Sequence, residues 1–435
     1  MLLSPPAQVQ EAPKPAAALL APRAAAGPAS SQAALALDLS GALARARSDN
    51  PLLRAAKARV DERRGFITAT RADALPQVTV IGDFTRVRDV SYIIAGSVPD
   101  VSPQNVYTTQ VTLSQPIYYW GKLGTAIDIA KMGEREAGYA FTTAELETLH
   151  GVAKAYIAVL SAQAELEVVA ARQKTAEQFL EDVTSKLEAQ TATELDRLRA
   201  ESEYLEVIPE SLQAEANVKR ALEVLNGQLG LDPKTPLALA DLGKPIADAS
   251  LREAERSEIA QFKQQEEMYR ANEQIIKSDL RPKVDFGVTY GYQAGHTDQL
   301  FQEPYDAWKV NLTMRFPIFD GMRSAGKRAQ NTAQLEQVHQ QRLDKERSIA
   351  VEKSTADREL QKSIAFQEAA EKAHDAGLEA LRMSRESFEQ GLITSLDLLQ
   401  AERTERQLES QRRRAQLAVW SAIFDDRRAL GLPPL

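Results

Sequence analysis

The chain has 435 residues, with 53 basic and 61 acidic side chains and a net charge of −8 at pH 7. It contains no cysteine, which excludes thiol catalysis, thiolate metal sites and disulfide bonds. There is no basic excess, so nucleic acid is not expected as a partner. The four histidines are far apart and lack the spacing of a zinc site. We therefore expect no cofactor, no metal and no enzymatic activity.

The amino-terminal segment is dominated by alanine and proline. Residues 1–37 contain six prolines and thirteen alanines, and such a stretch is too poor in large apolar side chains to build a core. We expect residues 1–37 to form a disordered leader. One interpretation is a remnant of an export signal, although the basic start and unbroken apolar core of a signal peptide are missing. No run of about 20 apolar residues occurs, so a membrane-spanning helix is not expected.

The sequence is internally repeated with an offset of 201 positions. Seven of the 17 residues from 185 to 201 recur at that offset, including Thr193 and Asp196, which recur as Thr394 and Asp397. A period of this length is far too long for a solenoid and predicts a duplicated half. The expected division is a first repeat over residues 38–230, a linker over residues 231–250 and a second repeat over residues 251–435.

Long stretches without proline dominate each repeat. Residues 122–188 and 322–389 contain no proline, and at 1.5 Å per residue each is long enough for a helix of about 100 Å. A short break follows each stretch and leads to a return helix that ends at Gly230 or Gly431. A shorter helix precedes the strands of each repeat. The expected fold is mainly α, with long antiparallel helices and a small β part.

Short segments in each repeat alternate between apolar and polar residues, which predicts β-hairpins over residues 77–115 and 283–316. Each strand then has one apolar face and one polar face. This pattern is typical of a transmembrane β-barrel with a watery interior, but a sheet covered by a helix shows the same alternation. The residues expected on the polar, lumen-facing side are Thr108, Gln110, Thr112, Asp285, Lys309, Asn311 and Arg315.

Four strands are too few to close a barrel, and an open sheet edge is not tolerated in lipid. The chain is therefore expected to oligomerise. Barrels of eight, twelve or sixteen strands are equally compatible with the alternation.

The first long helix carries an apolar seam from Val152 to Leu187 that runs for five heptads, with a second apolar stripe beside it. Two adjacent stripes favour close packing on both sides, as in a curved wall of helices that forms an α-barrel tunnel. A cytoskeletal or scaffolding coiled coil is the alternative, but it leaves the strands without a purpose.

Three short motifs occupy corresponding places in the two repeats. The strand exits read Gln115-Pro116-Ile117-Tyr118 and Phe316-Pro317-Ile318-Phe319-Asp320-Gly321, and the second break reads Gln390-Gly391-Leu392-Ile393-Thr394-Ser395-Leu396-Asp397-Leu398-Leu399. With the duplication, these motifs resemble the TolC-type outer-membrane efflux protein family. The resemblance covers nearly all of residues 37–432.

The resemblance implies a homotrimer with a twelve-stranded transmembrane β-barrel in the outer membrane and a twelve-helix tunnel across the periplasm. It also implies a periplasmic adaptor protein and an inner-membrane transporter as partners, in drug efflux or type I secretion. The chain would contact outer-membrane lipid and give passive exit to what the transporter delivers. The competing interpretation is a soluble coiled-coil scaffold or periplasmic adaptor protein with no pore.

The two breaks match the periplasmic tips of the family, where the helices coil inward to close the entrance. Asp196 and Asp397 match aspartates that line this entrance. The alternative is a solvated acid at a helix start, where the helix dipole favours negative charge. The full set of entrance candidates is Thr193, Asp196, Gly391, Thr394 and Asp397.

The chain departs from the family at these tips. The tyrosine and arginine that latch the closed mouth fall on Phe388 and Ile393, which cannot form the same hydrogen bonds or ion pairs. A second entrance acid falls on Gln400, and Gln190 stands where glycine is usual. We therefore do not expect the family's latch to hold this entrance shut.

Overall fold

The structure is a computed structural model that describes residues 35–87, 104–245, 254–390, 392–393 and 395–435. The described residues are mainly helical, and the strands are few. The helices are α1 (Leu39–Asp49), α2 (Pro51–Ala72), α3 (Lys122–Glu188), α4 (Glu194–Gln228), α5 (Ser257–Asp279), α6 (Arg323–Glu389) and α7 (Ser395–Ala429). The strands are β1 (Leu35–Leu37), β2 (Gln77–Val87), β3 (Gln104–Tyr118), β4 (Leu237–Leu239), β5 (Lys283–Ala294) and β6 (Asp306–Arg315).

Two long helices organise the fold. α3 and α6 have 67 residues each, so each is about 100 Å long. The first part of α3 packs on α2, where Arg64 pairs with Glu134 at 2.7 Å, and the second part packs on α4, where Arg172 pairs with Glu210 at 2.7 Å. α6 packs in the same manner on α5 and then on α7. None of the described helices combines the length and the apolarity needed to cross a membrane.

The shorter helices meet end to end in both halves, and different side chains close the two junctions. Asn50 donates from Nδ2 to the Gln228 carbonyl at the end of α4, at 2.7 Å. Arg256 donates from its guanidinium to the Ala429 carbonyl at the end of α7, at 3.2 Å. Both satisfy carbonyls that have no partner inside a helix. In both halves a side chain therefore donates a hydrogen bond to a carbonyl at the end of the return helix, at corresponding places.

The second junction buries a charge that needs a partner. Arg256 is 6% exposed, and its guanidinium donates to Glu258 at 2.6 Å. Burial is the largest single influence and opposes ionisation of Glu258, but the hydrogen bond from Arg256, a backbone hydrogen bond and the charges of Arg256 and Lys345 together outweigh it and hold the pKa of Glu258 at about 2. The pair is therefore fully charged at neutral pH.

The main apolar core lies around the middle of α3. Tyr156 and Phe424 are fully buried there, and β1 and β4 form a two-stranded parallel sheet against it. The Tyr156 hydroxyl donates to the Ala240 carbonyl at 2.6 Å. Burial raises the pKa of Tyr156 to about 12, so the hydroxyl remains a donor at neutral pH.

The predicted leader ends earlier than expected. Leu35–Leu37 pair with Leu237–Leu239, so the prediction of disorder up to residue 37 was wrong for these three residues. The leucines of β1 pack against the main core, and the backbone gains a strand partner from the segment that links the two halves. Residues 1–34, which hold the rest of the predicted leader, lie outside the described part of the chain.

Replacing Tyr156 by phenylalanine is expected to lower the free energy of unfolding by about 1–2 kcal/mol, because the Leu37 and Ala240 carbonyls would lose the buried hydroxyl that lies within hydrogen-bond distance of both. Denaturant unfolding followed by circular dichroism measures this change. Tyr139→Phe on the same helix is the matched control, since Tyr139 is 37% exposed. Equal unfolding midpoints for both variants would contradict the role of this hydrogen bond.

Candidate functional site: a two-faced sheet and the helix tips

Four strands form one antiparallel sheet in the order β2-β3-β5-β6. The register pairs Thr112 with Thr79 on one side and Thr289 on the other, so residues in register share a face. All four strands therefore contribute to the same two faces. The outer strands, β2 and β6, each have one edge with no partner among the described strands.

One face of the sheet is polar, and the register places all seven predicted polar-face residues on it. The hydroxyls of Thr112 and Thr289 are 3.3 Å apart, and Thr289 pairs with Lys309 in β6. Ile81 also belongs to this face, because it pairs with Gln110. The seven residues on this face are Thr108, Gln110, Thr112, Asp285, Lys309, Asn311 and Arg315.

The other face is apolar and uncovered. Trp308, Leu312 and Met314 of β6 are 75%, 70% and 69% exposed, and Val78 and Val80 of β2 are 65% and 69% exposed. The described helices therefore do not cover these outer strands, as they would in a sheet packed on its own helices. A contiguous apolar surface of this kind marks contact with lipid or with another protein.

Glycines on the polar face allow close approach of neighbouring strands. A Cβ on Gly291 would lie 2.3 Å from the Thr109 carbonyl oxygen and 2.6 Å from Gln110 Cα. A Cβ on Gly287 would lie 2.9 Å from Asn311 Oδ1. Because Gly287 and Gly291 leave room on the polar side of β5, the sheet can curve toward its polar face there.

We expect Gly291→Ala to destabilise the sheet by about 1–3 kcal/mol, because the added methyl group forces the backbones of β3 and β5 apart. Gly82→Ala in β2 is the control, since a Cβ there meets nothing within 4 Å. A refolding titration into detergent or lipid compares the two variants. Indistinguishable titrations would show that the close approach at Gly291 is not required.

β3 extends farther than predicted. It continues through Pro116 to Tyr118, whereas the predicted hairpin strand ended at residue 115. The register shifts between Pro116 and Tyr118, so a bulge accommodates the missing N–H of proline. Beyond it, Tyr118 and Trp120 are in edge contact with ring centroids 5.1 Å apart, and Arg281 lies 4.8 Å above the Trp120 ring. Aromatic and cationic side chains thus gather where the sheet meets α3.

A capping box closes the turn between α3 and α4. The Thr193 hydroxyl oxygen accepts from the Asp196 backbone N–H at 3.3 Å, and Asp196 Oδ2 accepts from the Thr193 N–H at 3.1 Å. The hydrogen bonds from the Thr193 hydroxyl and backbone lower the pKa of Asp196. Asp196 therefore stabilises the start of α4, whichever role it also has at an entrance.

The two tips differ in sequence at the glycine position of the turn. Gln190 has a left-handed φ of 59°, a conformation that costs a non-glycine residue about 1 kcal/mol and explains why glycine is usual there. Asp397 is exposed in the first turn of α7. Two of the predicted entrance residues, Gly391 and Thr394, lie outside the described residues.

Three arginines of α7 were not predicted as functional residues, although they contact the other long helix and its return helix. The run of arginines at 412–414 is the only feature of the sequence that could have indicated these contacts, but a charge run on a helix usually faces solvent. The contacts are Arg403 to Glu203 of α4 at 3.8 Å, Arg413 to Glu167 of α3 at 2.9 Å, and Arg414 to Glu165 of α3.

The same fold occurs in solved outer-membrane channels. The outer membrane protein VceC of Vibrio cholerae has a TM-score of 0.75 and 20% identity, covering 91% of this chain and 97% of that one. The CmeC outer membrane channel of Campylobacter jejuni has a TM-score of 0.76 and 15% identity, covering 90% and 85%. These similarities confirm the predicted, mainly helical fold.

The sequence profile that describes outer membrane efflux proteins matches residues 42–231 and 249–426. The chain therefore belongs to the outer membrane efflux protein family. Outer membrane protein TolC of Vibrio cholerae is 22% identical over 82% of both chains. The pyoverdine export outer membrane protein OpmQ of Pseudomonas putida is 25% identical, over 87% of this chain and 84% of the relative. The alkaline protease secretion protein AprF of Pseudomonas aeruginosa is 22% identical, over 75% and 67%.

The protein is an outer-membrane channel of the efflux or secretion class, with a long helical part in the periplasm, and it is not an enzyme. The predicted resemblance is confirmed. Channels of this kind are trimeric and work with adaptor proteins and inner-membrane pumps.

Proposed function

We propose that three copies of this chain form one continuous pore, which gives passive exit to substrates that an inner-membrane transporter delivers through a periplasmic adaptor protein. The four-stranded sheet carries this proposal, because within the described part of the chain both its edges lack a partner strand and its apolar face is uncovered. Backbone donors and acceptors at an open edge have no partner in lipid. Further copies of the same chain supply the missing partners.

The strand directions permit such a closure. Because neighbouring strands are antiparallel throughout β2-β3-β5-β6, β6 also runs opposite to β2. β6 of one copy can therefore pair with β2 of the next, and three copies give a closed barrel of twelve strands. The glycine-bearing polar face would lie inside, and its seven named residues would line the lumen. The apolar face would contact outer-membrane lipid.

Purified protein reconstituted into planar bilayers tests the pore. The proposal predicts heat-resistant trimers that carry a stable ionic current. A soluble, elongated oligomer that does not insert into lipid and carries no current would favour the scaffold interpretation and contradict the pore.

The assignment of the two faces predicts that two arginine substitutions in β6 differ in their effect on stability in lipid. Val310→Arg places a charge on the apolar face and is expected to cost roughly 2–4 kcal/mol in lipid near the bilayer centre. Thr313→Arg on the polar face of the same strand is expected to be tolerated, because its side chain would face water. Refolding titrations into lipid vesicles measure both. Equal costs would contradict the assignment of the two faces.

We further propose that the turns at the ends of α3 and α6 form the periplasmic entrance. Thr193, Gly391 and Thr394 would shape the turns, while Asp196 and Asp397 would place two carboxylates per chain around the threefold axis. Rings of acid in a pore favour cations over anions. Asp196 is already ionised in its capping box, which is consistent with a fixed negative charge.

Neutralising the two aspartates is expected to reduce the cation preference of the pore. The double variant Asp196→Asn with Asp397→Asn removes the charge with little change of shape. Reversal potentials across a salt gradient should shift toward the value of a non-selective pore. Asp61→Asn, an exposed acid on α2, is the control. If the double variant has the same reversal potential as the unmodified channel, the two aspartates do not affect ion selectivity, and their role is limited to capping the helices.

A further inference from the structure

An arginine without an acidic partner lies where the sheet gives way to the long helices. Arg281 belongs to the connection between α5 and β5 and is exposed. Its guanidinium lies 4.8 Å above the ring of Trp120, and it forms no ion pair with any residue in the described ranges. Nearby cations differ in this respect, because Lys122 and Lys327 both pair with Asp279, at 2.6 and 3.2 Å. The charge of Arg281 is therefore available to a partner outside the protomer.

The contacts of Trp120 place Arg281 on the apolar side of the sheet. Tyr118 pairs in register with Val284, whose side chain belongs to the apolar face. Tyr118 is 51% exposed, and the ring of Trp120 is in edge contact with it. The residue between them, Tyr119, donates instead to a carboxylate of the polar face at 2.6 Å. Tyr118 and Trp120 thus form an aromatic platform on the apolar side, and Arg281 rests on this platform.

The length of the strands gives the level of Arg281 relative to a membrane. The apolar face of β5 runs from Val284 to Tyr292, which is about 27 Å along the strand. A strand tilt of about 40° reduces this to about 20 Å, close to the apolar band of about 25 Å in membrane barrels. Arg281 is at most about 10 Å beyond Val284 along the chain. The headgroup region extends about 5–8 Å beyond the hydrocarbon on each side, so Arg281 reaches the level of the lipid phosphates.

Trp120 holds its ring at this level in an unfavourable backbone conformation. Its φ is 54°, in the left-handed region that disfavours residues other than glycine. The corresponding residue of the second repeat, 201 positions on, is Gly321, with a φ of 66°. The first repeat thus carries a large ring where the second has the residue that fits this turn best. A strained residue that the turn itself does not require points to a task for its side chain.

We propose that Arg281, on the platform of Tyr118 and Trp120, binds the phosphate group of a phospholipid in the periplasmic leaflet of the outer membrane. The sheet joins the long helices at this end, so this end faces the periplasm. The planar guanidinium can donate two parallel hydrogen bonds to phosphate oxygens while its face stays on the indole ring. The acyl chains then lie along the apolar face, next to Tyr118. The inference rests on the proposed function in one respect, the assignment of the apolar face to lipid.

The surroundings of Arg281 favour an anionic headgroup over a zwitterionic one. Asp279, the nearest acid along the chain, is already engaged by Lys122 and Lys327. No free carboxylate is therefore at hand for the cationic group of choline or ethanolamine. Phosphatidylglycerol carries the same phosphate without such a cation, so we expect it to bind more tightly than phosphatidylcholine.

Counting the lipids that stay on purified trimers tests the site. Native mass spectrometry after titration with phosphatidylglycerol is expected to show three lipids per trimer that bind more tightly than the rest. Arg281→Gln should weaken their binding about tenfold or more, because a charge-assisted hydrogen bond is lost. Arg281→Lys keeps the charge but not the planar fork, and it should have an intermediate effect. Unchanged binding in Arg281→Gln would overturn the proposal.

Two further variants separate lipid binding from folding. Trp120→Gly introduces the residue of the second repeat, so the turn should fold at least as well, but lipid binding should fall because the platform is lost. Full retention of the lipids by this variant would contradict the role of the platform. Arg315→Gln is the matched control, because Arg315 lies at the same end of the sheet on the polar face. Lipid loss in Arg315→Gln but not in Arg281→Gln would overturn both the site and the proposed orientation of the sheet.

Competition and fluorescence identify the ligand and test the membrane face independently. A large molar excess of inorganic phosphate should leave the lipids bound, and their displacement would show a site for free phosphate instead. Phosphatidylglycerol with brominated acyl chains quenches nearby tryptophans, and comparison with Trp308→Phe isolates Trp308 on the apolar face. Quenching of Trp308 without any effect of Arg281→Gln on the lipid count would overturn this site and leave the proposed pore standing. No quenching of Trp308 would contradict the assignment of the apolar face, on which the pore also depends.

Discussion

The backbone at the two outer edges of the sheet, which has no partner among the strands that the structure describes, is the constraint on which the rest of the molecule depends. In water an exposed edge strand can bond to solvent, but in lipid each unpaired N–H or carbonyl costs several kcal/mol. The exposed apolar face of β2 and β6 directs the sheet toward lipid, and the open edges then require further strands. The need to satisfy the backbone hydrogen bonds at these edges therefore favours oligomerisation, whatever side chains form the interface. In the proposed trimer, the helices below would take the threefold arrangement of the sheet.

The two halves meet the same hydrogen-bonding requirement with different side chains. At the helix junctions Asn50 and Arg256 both satisfy terminal carbonyls, one with an amide and the other with a buried guanidinium that needs Glu258. The neutral solution requires no counter-ion, whereas the charged one brings a second residue with it. Sequence identity between the halves is therefore concentrated at turns, for example at Thr193 and Asp196, where the backbone geometry accepts few other residue types.

Much of the fold could be predicted from the sequence because its signals are local and repeated. Helix α3 follows from an uninterrupted stretch without proline, and the two faces of the sheet follow from a period of two. The bulge after Pro116 could not be predicted in this way, because register depends on the partner strand β5. The pairing of Leu35–Leu37 with the linker joins segments about 200 residues apart, and local composition does not encode such a contact. The bridge from Arg413 to Glu167 was missed for the same reason, since the pattern of α7 alone suggests a solvated face.

The contacts between the α3–α4 pair and the α6–α7 pair change along their length. Near the main core, buried apolar packing acts together with ion pairs such as Lys154–Asp425, whereas toward the tips exposed ion pairs stand beside a cavity. Burial of Phe424 and Tyr156 fixes the pairs where β1, β4 and the helix junctions also converge, so displacement there would expose a core. Farther toward the tips, exposed ion pairs such as Arg413–Glu167 stand beside a cavity that Val168 and Ala171 also line, so fewer packed contacts oppose a displacement there.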